Sequence, residues 1–318
     1  MSPAPEKILI VGAGTMGHSL ALLFAMSGFS VALVDREENA VNKALELIAS
    51  AAGTLVESGM AGTEQIREWN RLIHTSTDLK KAAEDSFLAI ETVDETPSIK
   101  KEVFTLLDRW CPQHTILSSN TSALNIFDIV ETGRPERVVI THFFAPPHII
   151  PLVEIVPGPL TDPHAVSEVV RIMEIAGKEP LVLREYIPGF IVNRIQRAIA
   201  REAFSLVDRG AASIEEIDRA VKSSLGIRLP VVGVLQTYDF TGLDVYYKIN
   251  KETPISAPAA PTSPPEIVRK KVEEGSFGVK TGKGLYDYGG RKTGDIMKRR
   301  DLRYMEVLKA LRKDRSPI

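Results

Sequence analysis

The sequence predicts an α/β fold: an N-terminal doubly wound parallel-sheet domain followed by an all-helical C-terminal domain. Three observations carry that prediction. A short β-branched apolar run, Lys7–Val11, leads directly into a glycine-rich turn and then a helical pattern. Strand-like and helix-like stretches then alternate as far as about Tyr186, the pattern of βαβ units. Beyond Tyr186 the strand signals stop, which places the boundary between residues 1–186 and 187–318.

The first strand is Lys7–Val11, and Gly12-Ala13-Gly14-Thr15-Met16-Gly17 follows it as a GxGxxG. Alone the motif is weakly specific. Here a strand precedes it, the helical pattern of Leu20, Leu23 and Phe24 follows, and a second strand, Ser30–Val34, closes at Asp35. That context reads as a Rossmann-type dinucleotide site. Gly12 permits the tight turn, Gly14 lets a pyrophosphate approach the backbone, and Gly17 lets helix pack on strand. The helix N-terminus then offers N–H groups to the phosphates. A carboxylate at Asp35 accepts the ribose hydroxyls and repels a 2′-phosphate, so NAD is expected over NADP, with Arg36 as the residue arguing the other way.

Further along, Glu37–Gly59 and Thr63–Arg71 read as helices, Phe87–Val93 as a strand and Ser98–Trp110 as an amphipathic helix. Thr115–Ser118, Val138–His142, Leu152–Val156 and Pro180–Leu183 read as strands, with Pro163–Gly177 a helix. Ligands of such sheets bind outside the carboxyl ends of the strands. Glu91, the polar turn Ser119–Ser122 and His142 all fall there, which predicts one crevice. In the C-terminal part Pro188–Arg209, Ser213–Leu225, Val231–Asn250, Glu266–Glu274 and Ile296–Arg312 are expected helices. Ser213 and Glu216 have the spacing of a capping box. The proline-rich Pro254–Pro265 reads as an extended connection.

The residues that carry chemistry stand out by being misplaced. His142 ends one apolar run and Glu154 interrupts another. A carboxylate among apolar residues is costly unless it is paired, and an imidazole is its natural partner. A hydride leaves a secondary alcohol only if a base takes the hydroxyl proton, and histidine suits that near neutral pH. The hydroxyl of Ser122 and the amide of Asn193 are candidates to polarise the substrate oxygen. On the same predicted helix as Asn193, Arg194, Arg197 and Arg201 share one face at i, i+3, i+7 spacing, where a subunit interface or solvated face is the weightier reading.

Composition excludes several classes. Hydrophobic content of 44%, charged content of 25% and a net charge of −2 suit a globular protein and offer no field for nucleic acid or membrane. Cys111 is the single cysteine, and six scattered histidines show no ligand spacing, so no metal is expected. The N-terminus lacks the charged-then-apolar design of a signal peptide, and no apolar run approaches the roughly 20 residues of a membrane span. A cytoplasmic protein is expected.

Taken together, GAGTMG (Gly12–Gly17), SNTS (Ser119–Ser122), HFFAPP (His142–Pro147), PLVEIV (Pro151–Val156), PGFIVNR (Pro188–Arg194) and GVKTGKGLYDY (Gly278–Tyr288) resemble the 3-hydroxyacyl-CoA dehydrogenase superfamily over nearly the whole chain to Tyr288. The resemblance implies that His142 is the catalytic base and Glu154 its orienting partner, with Ser122 and Asn193 on the substrate oxygen. It also implies cofactor contacts from Asp35, Glu95, Lys100 and Lys280, and a homodimer joined through the helical domain.

The expected reaction is NAD-dependent interconversion of the C3 hydroxyl and ketone of a short L-3-hydroxyacyl-CoA, the chemistry of 3-hydroxybutyryl-CoA and fatty acid metabolism. The alternative keeps the chemistry on a free hydroxy acid. In the acyl-CoA enzymes a serine and a lysine on the second long helix help hold coenzyme A. Here Lys43 is the only lysine between Arg36 and Arg71, and Ala145 stands where the family has asparagine. GTLVESG, PPHIIPLVEIVPG and LGIRLPVVG are similar to relatives acting on free acids, such as L-gulonate 3-dehydrogenase, known also as lens λ-crystallin. Arg228 is then the candidate cation for a substrate carboxylate. A non-catalytic NAD-binding protein is a more distant alternative. The basic segment Arg291–Ile318 lies outside the resemblance and reads as a helix packing on its own subunit or a dimer mate.

Overall fold

The structure is a computed structural model and describes residues 6–252 and 266–312. The stretch Pro254–Pro265, expected as an extended connection, lies outside the described residues. The chain divides into two compact units, Met1–Asn193 and Arg194–Ile318.

The first unit runs β1 (Lys7–Val11), α1 (Gly17–Met26), β2 (Ser30–Val34), α2 (Glu38–Glu57), α3 (Thr63–Leu72), β3 (Ile73–Ser76), α4 (Leu79–Ala83) and β4 (Ser86–Glu91). It continues with α5 (Pro97–Trp110), β5 (Ile116–Ser119), β6 (Val138–Phe143), β7 (Leu152–Pro157), α6 (Pro163–Ile175) and β8 (Glu179–Val182). The eight strands form one sheet in the order β3-β2-β1-β4-β5-β6-β7-β8. The first six reproduce the doubly wound order, whose direction reverses between β1 and β4. Ile8, Leu9, Ile10, Leu88, Ile90, Ile116 and Ile140 are fully buried, as expected of strands covered on both faces.

In the first unit two features differ from the sequence reading. Strand β3 and helix α4 were not anticipated: their sequences, IHTS and LKKAA, are too short and too polar to show a period. β3 forms because a neighbour supplies its hydrogen bonds, through the pairing of Val31 with Ile73 and Val34 with Ser76. The sheet is also not wholly parallel, since β7 runs antiparallel to β6. No helix lies between them, and a parallel connection requires a crossover. The turn back sets His142 directly opposite Glu154 in the register.

In the second unit, α7 (Val192–Asp208, which opens at the boundary) is followed by α8 (Ile214–Ser223), α9 (Leu225–Thr241), α10 (Leu243–Glu252), α11 (Glu266–Glu273) and α12 (Thr293–Arg312). The capping box at α8 is formed: Glu216 N–H donates to Ser213 Oγ at 3.2 Å, and Ser213 N–H to Glu216 Oε2 at 2.9 Å. The expected helix from Pro188 starts only at Val192, because Gly189 and Phe190 have φ of 79° and 51°. α9 kinks at Gly233, after Pro230. Among the described residues no helix is long and apolar enough to cross a membrane.

Candidate active site

The glycine-rich turn follows β1 at the point where the strand order reverses. Gly12 has φ of 107°, and a Cβ there would lie 2.9 Å from the backbone of Thr92. A Cβ on Gly17 would lie 1.7 Å from the Gly12 carbonyl oxygen, so no other residue fits. A Cβ on Gly14 would meet nothing within 4 Å, leaving open space beside the backbone and the α1 N-terminus. That is the cradle a pyrophosphate requires. Thr15 is exposed and Met16 partly so on the same turn. Asp35 braces it, its Oδ2 accepting the Ala13 N–H at 2.9 Å and its Oδ1 the Glu37 N–H at 3.1 Å. Arg36 is 87% exposed and lies 3.7 Å from Glu37. Thr92 ties β4 to the turn by donating its hydroxyl to the Val11 and Gly12 carbonyls at 3.1 and 2.9 Å.

The ends of β4 and β5 meet in a buried ionic cluster. Lys100 on α5 is 1% exposed and donates to Glu91 Oε1 and Oε2 at 2.8 and 3.0 Å and to Glu95 Oε2 at 3.0 Å. Those contacts match the three donors of an ammonium, so in this arrangement Lys100 orients Glu95. Burial pushes the Glu91 carboxyl up, with Lys100, the Ser119 hydroxyl at 2.6 Å and the Val93 N–H pulling against it. At Glu95 burial is outweighed. The Thr121 hydroxyl at 2.6 Å, Lys100 and the Ser122 N–H at 2.8 Å hold its carboxyl below the usual range. Ser122 Oγ stands 3.3 Å from the same carboxylate, and Asn193 Nδ2 donates to the Ser122 carbonyl at 3.1 Å.

Beside this cluster lies the pair of His142 and Glu154. His142 Nδ1 is 2.8 Å from Glu154 Oε2, the two side chains 6% and 0% exposed. Glu154 Oε1 accepts the N–H groups of Ile191 and Val192, where α7 begins, at 2.9 and 3.0 Å. A helix N-terminus stabilises a carboxylate through its free N–H groups and its dipole. Burial alone would raise the Glu154 carboxyl. The hydrogen bonds from His142, Val192 and Ile191 outweigh it and hold the group below its ordinary value of 4.5. An ionised Glu154 accepts only, so Nδ1 of His142 carries hydrogen and Nε2 is left to exchange a proton. The ring is fixed by Phe144 and Phe190, with centroids at 4.5 and 5.2 Å.

Of the residues singled out in the first unit, the structure links Ser122, Glu95, Lys100 and Asn193 in one network, and His142 with Glu154 in another. Asn120 joins the strands between them, its Oδ1 accepting the Phe143 N–H at 2.9 Å. In the second unit Lys280 Nζ lies 5.2 Å from the centre of the Phe277 ring, and Arg228 donates to Ser224 Oγ at 3.1 Å. Sequence reasoning missed the supports: Thr92, Thr121, Phe190, and Tyr186, whose hydroxyl donates to the Ala123 carbonyl at 2.6 Å. Thr121 and Phe190 lie inside motifs already singled out, SNTS and PGFIVNR, without a role of their own; Thr92 and the Tyr186 hydroxyl carried no signal. Among the described residues no group of three or more His, Cys, Asp or Glu side chains is arranged to hold a metal.

Known proteins resemble the chain over both of its parts. The NAD-binding domain of 3-hydroxyacyl-CoA dehydrogenases matches residues 7–186, and the C-terminal domain of the same family matches residues 189–288. The chain is 31% identical over 317 residues to 5-formyl-3-hydroxy-2-methylpyridine 4-carboxylate 5-dehydrogenase of Mesorhizobium japonicum, covering 96% of this chain and 98% of that protein. It is 36% identical over 286 residues to 3-hydroxybutyryl-CoA dehydrogenase of Clostridioides difficile, covering 89% and 99%. Among solved structures, a 5-formyl-3-hydroxy-2-methylpyridine 4-carboxylic acid 5-dehydrogenase described as an NAD-dependent dismutase superposes with a TM-score of 0.87 at 29% identity, covering 97% of this chain and 99% of that one. With both family domains matched in succession over residues 7–186 and 189–288, the chain belongs to the 3-hydroxyacyl-CoA dehydrogenase family and is an NAD-dependent oxidoreductase.

Proposed function

We propose that the protein interconverts a secondary hydroxyl and its ketone on a small carboxylated substrate that is not a CoA thioester, with His142 as general base. The hydrogen-bonded pair of His142 and Glu154, buried at the carboxyl end of the sheet, carries the chemical part of this reading. Bound NAD supplies the hydride acceptor. Glu154 holds the imidazole with Nδ1–H toward itself, so Nε2 takes the substrate hydroxyl proton, and the carboxylate stabilises the imidazolium that results. Ser122 and Asn193 polarise the substrate oxygen. Gly12, Gly14, Thr15, Met16, Gly17 and Asp35 hold the cofactor, with Glu95 oriented by Lys100 and with Lys280 as a further contact. Residues 1–186 form the cofactor domain and 187–318 the substrate and dimerisation domain.

The substrate class rests on three supports. A match over 96% of the chain extends past Tyr288 into the C-terminal segment, beyond the last family domain. The high superposition score belongs to an enzyme whose name carries a free carboxylate and no coenzyme A. The second long helix has Lys43 as its only lysine. Arg228 is the cation proposed for the substrate carboxylate. A 3-hydroxybutyryl-CoA-like reaction is the second reading, favoured by the 36% identity to the C. difficile enzyme and by Gly278–Tyr288. A panel of acetoacetyl-CoA, acetoacetate and aromatic and aliphatic hydroxy acids, assayed with NADH or NAD, separates them. Turnover of acetoacetyl-CoA with none of a free acid refutes the first. Replacing His142 by Gln is expected to abolish turnover and leave NADH affinity intact; unchanged turnover refutes the assigned base.

A homodimer in the cytoplasm belongs to the same proposal. Among the described residues after Asn193, only Gly284 and Met305 are buried. Leu235, Phe240, Leu243 and Tyr247 are 82%, 64%, 60% and 68% exposed. A second copy covering such apolar helices is the arrangement that removes them from water.

A further inference from the structure

The connection between β6 and β7 is a loop, yet Pro146, Pro147, His148 and Ile149 are buried. A buried loop carries backbone carbonyls that need donors. The Pro146 carbonyl takes the Ile149 and Ile150 N–H groups of the loop itself, each at 3.0 Å, but for Pro147 and Ile150 the donor comes from outside the loop. Lys178, immediately before β8, is 7% exposed and donates to the Pro147 carbonyl at 2.6 Å and to the Ile150 carbonyl. Its ammonium also faces the Phe143 ring, 5.9 Å from the centroid. The next residue, Glu179, donates its N–H to the Pro151 carbonyl at 2.8 Å. From the opposite side Ser19 of α1 meets His148 Nδ1 at 2.5 Å. The loop is therefore tied both to the dinucleotide helix and to the start of β8.

We propose that Lys178 is a positioning residue for His142 and Glu154, holding the buried β6–β7 connection through the carbonyls of Pro147 and Ile150. The connection joins the strand of His142 to the strand of Glu154 and leaves them opposed across the register. It begins at Phe144, whose ring packs against the His142 imidazole at 4.5 Å. A shift of this loop moves the imidazole relative to both its carboxylate and the substrate oxygen. Burial pushes the Lys178 ammonium down to about 7, against the pull of Glu179. The neutral amine keeps two N–H groups for the two carbonyls, so the clamp works on either side of that pH. The catalytic part of the proposal rests on His142 being the base.

The test compares wild type, K178M, K178Q and H142Q as full-length proteins with NADH. Methionine preserves length and removes every donor; glutamine keeps two N–H donors on a shorter side chain. The first readout needs no substrate: the downfield Nδ1–H proton resonance of His142, assigned by its absence in H142Q. It is expected to broaden or vanish in K178M and to be intermediate in K178Q. The second is kcat on acetoacetate and acetoacetyl-CoA, expected to fall about 10- to 100-fold in K178M while the NADH Kd moves less than about threefold, the pattern of misplacement by about 1 Å. A folded K178M with the wild-type resonance and kcat overturns the proposal. If K178M does not fold, K178Q decides on the same two readouts, wild-type values again overturning it. H142Q that retains turnover defeats the assignment of the base instead, and leaves the resonance to judge Lys178.

Discussion

Replacing Glu154 by Gln tests the chemistry at its centre with almost no change of shape. Glu154 Oε1 accepts two N–H groups from the start of α7, and Oε2 takes the His142 Nδ1–H. In the variant the amide oxygen keeps the two backbone donors, because an NH₂ group cannot accept. The amide nitrogen then faces His142 Nδ1, which must become an acceptor, so the proton moves to Nε2. That tautomer cannot take a substrate proton. The lost charge-assisted hydrogen bond alone is worth about 1.5–3 kcal/mol, roughly 10- to 150-fold. Where a carboxylate orients a general-base histidine in other proteins, the amide costs up to about 10⁴ in kcat. A fall of about 10²–10⁴ in kcat is therefore expected, with the NADH Kd unchanged. NADH absorbance follows turnover, and NADH fluorescence follows binding. The pH dependence of stability supplies an independent check. Glu154 has its folded-state value held below 4.5, so its contribution is present above that pH and disappears as pH falls through the lowered value. E154Q lacks this acid-side loss. A variant within twofold of wild-type kcat, or one that still loses the same acid-side stability, refutes the pairing as the source of activity.

Two other substitutions probe the frame. Gly17→Ala brings a methyl within 1.7 Å of the Gly12 carbonyl oxygen; loss of NADH binding by tenfold or more is expected for so direct a collision at the phosphate turn, and near-wild-type affinity by fluorescence titration contradicts the cradle. Arg134, 1% exposed, donates to Asp108 Oδ1 at 2.9 Å and to the carbonyls of Asp108, Cys111 and Pro112. Arg134→Met is expected to cost about 3–5 kcal/mol by stranding these acceptors, seen as a melting temperature lower by roughly 10 °C in thermal denaturation, and a shift of only a degree or two speaks against it.

The βαβ frame, the dinucleotide turn and the two misplaced polar side chains that the fold pairs, His142 and Glu154, are legible in the residues alone. These are local signals. A GxGxxG between strand and helix is decided by the steric room of three glycines, and a histidine and a carboxylate inside apolar runs announce themselves by the cost of burying them. How those groups are held is set by packing instead. The short strand β3 depends on β2, some forty residues earlier. The antiparallel turn that sets His142 opposite Glu154 and the pairing of Lys100 with Glu91 and Glu95 join near neighbours in the chain, whose contact only the packing of strand ends and α5 decides. The supply of donors to Glu154 from the start of α7 depends on where that helix begins. Gly189 and Phe190 decide that by taking positive φ, and helical periodicity carries no trace of it. Lys178 illustrates the limit most clearly: in the sequence it is an unremarked lysine between a helix and a strand. In the folded chain it is buried against two carbonyls of a loop about thirty residues earlier, because a loop driven into the interior must take its hydrogen bonds from whatever donor the fold brings to it.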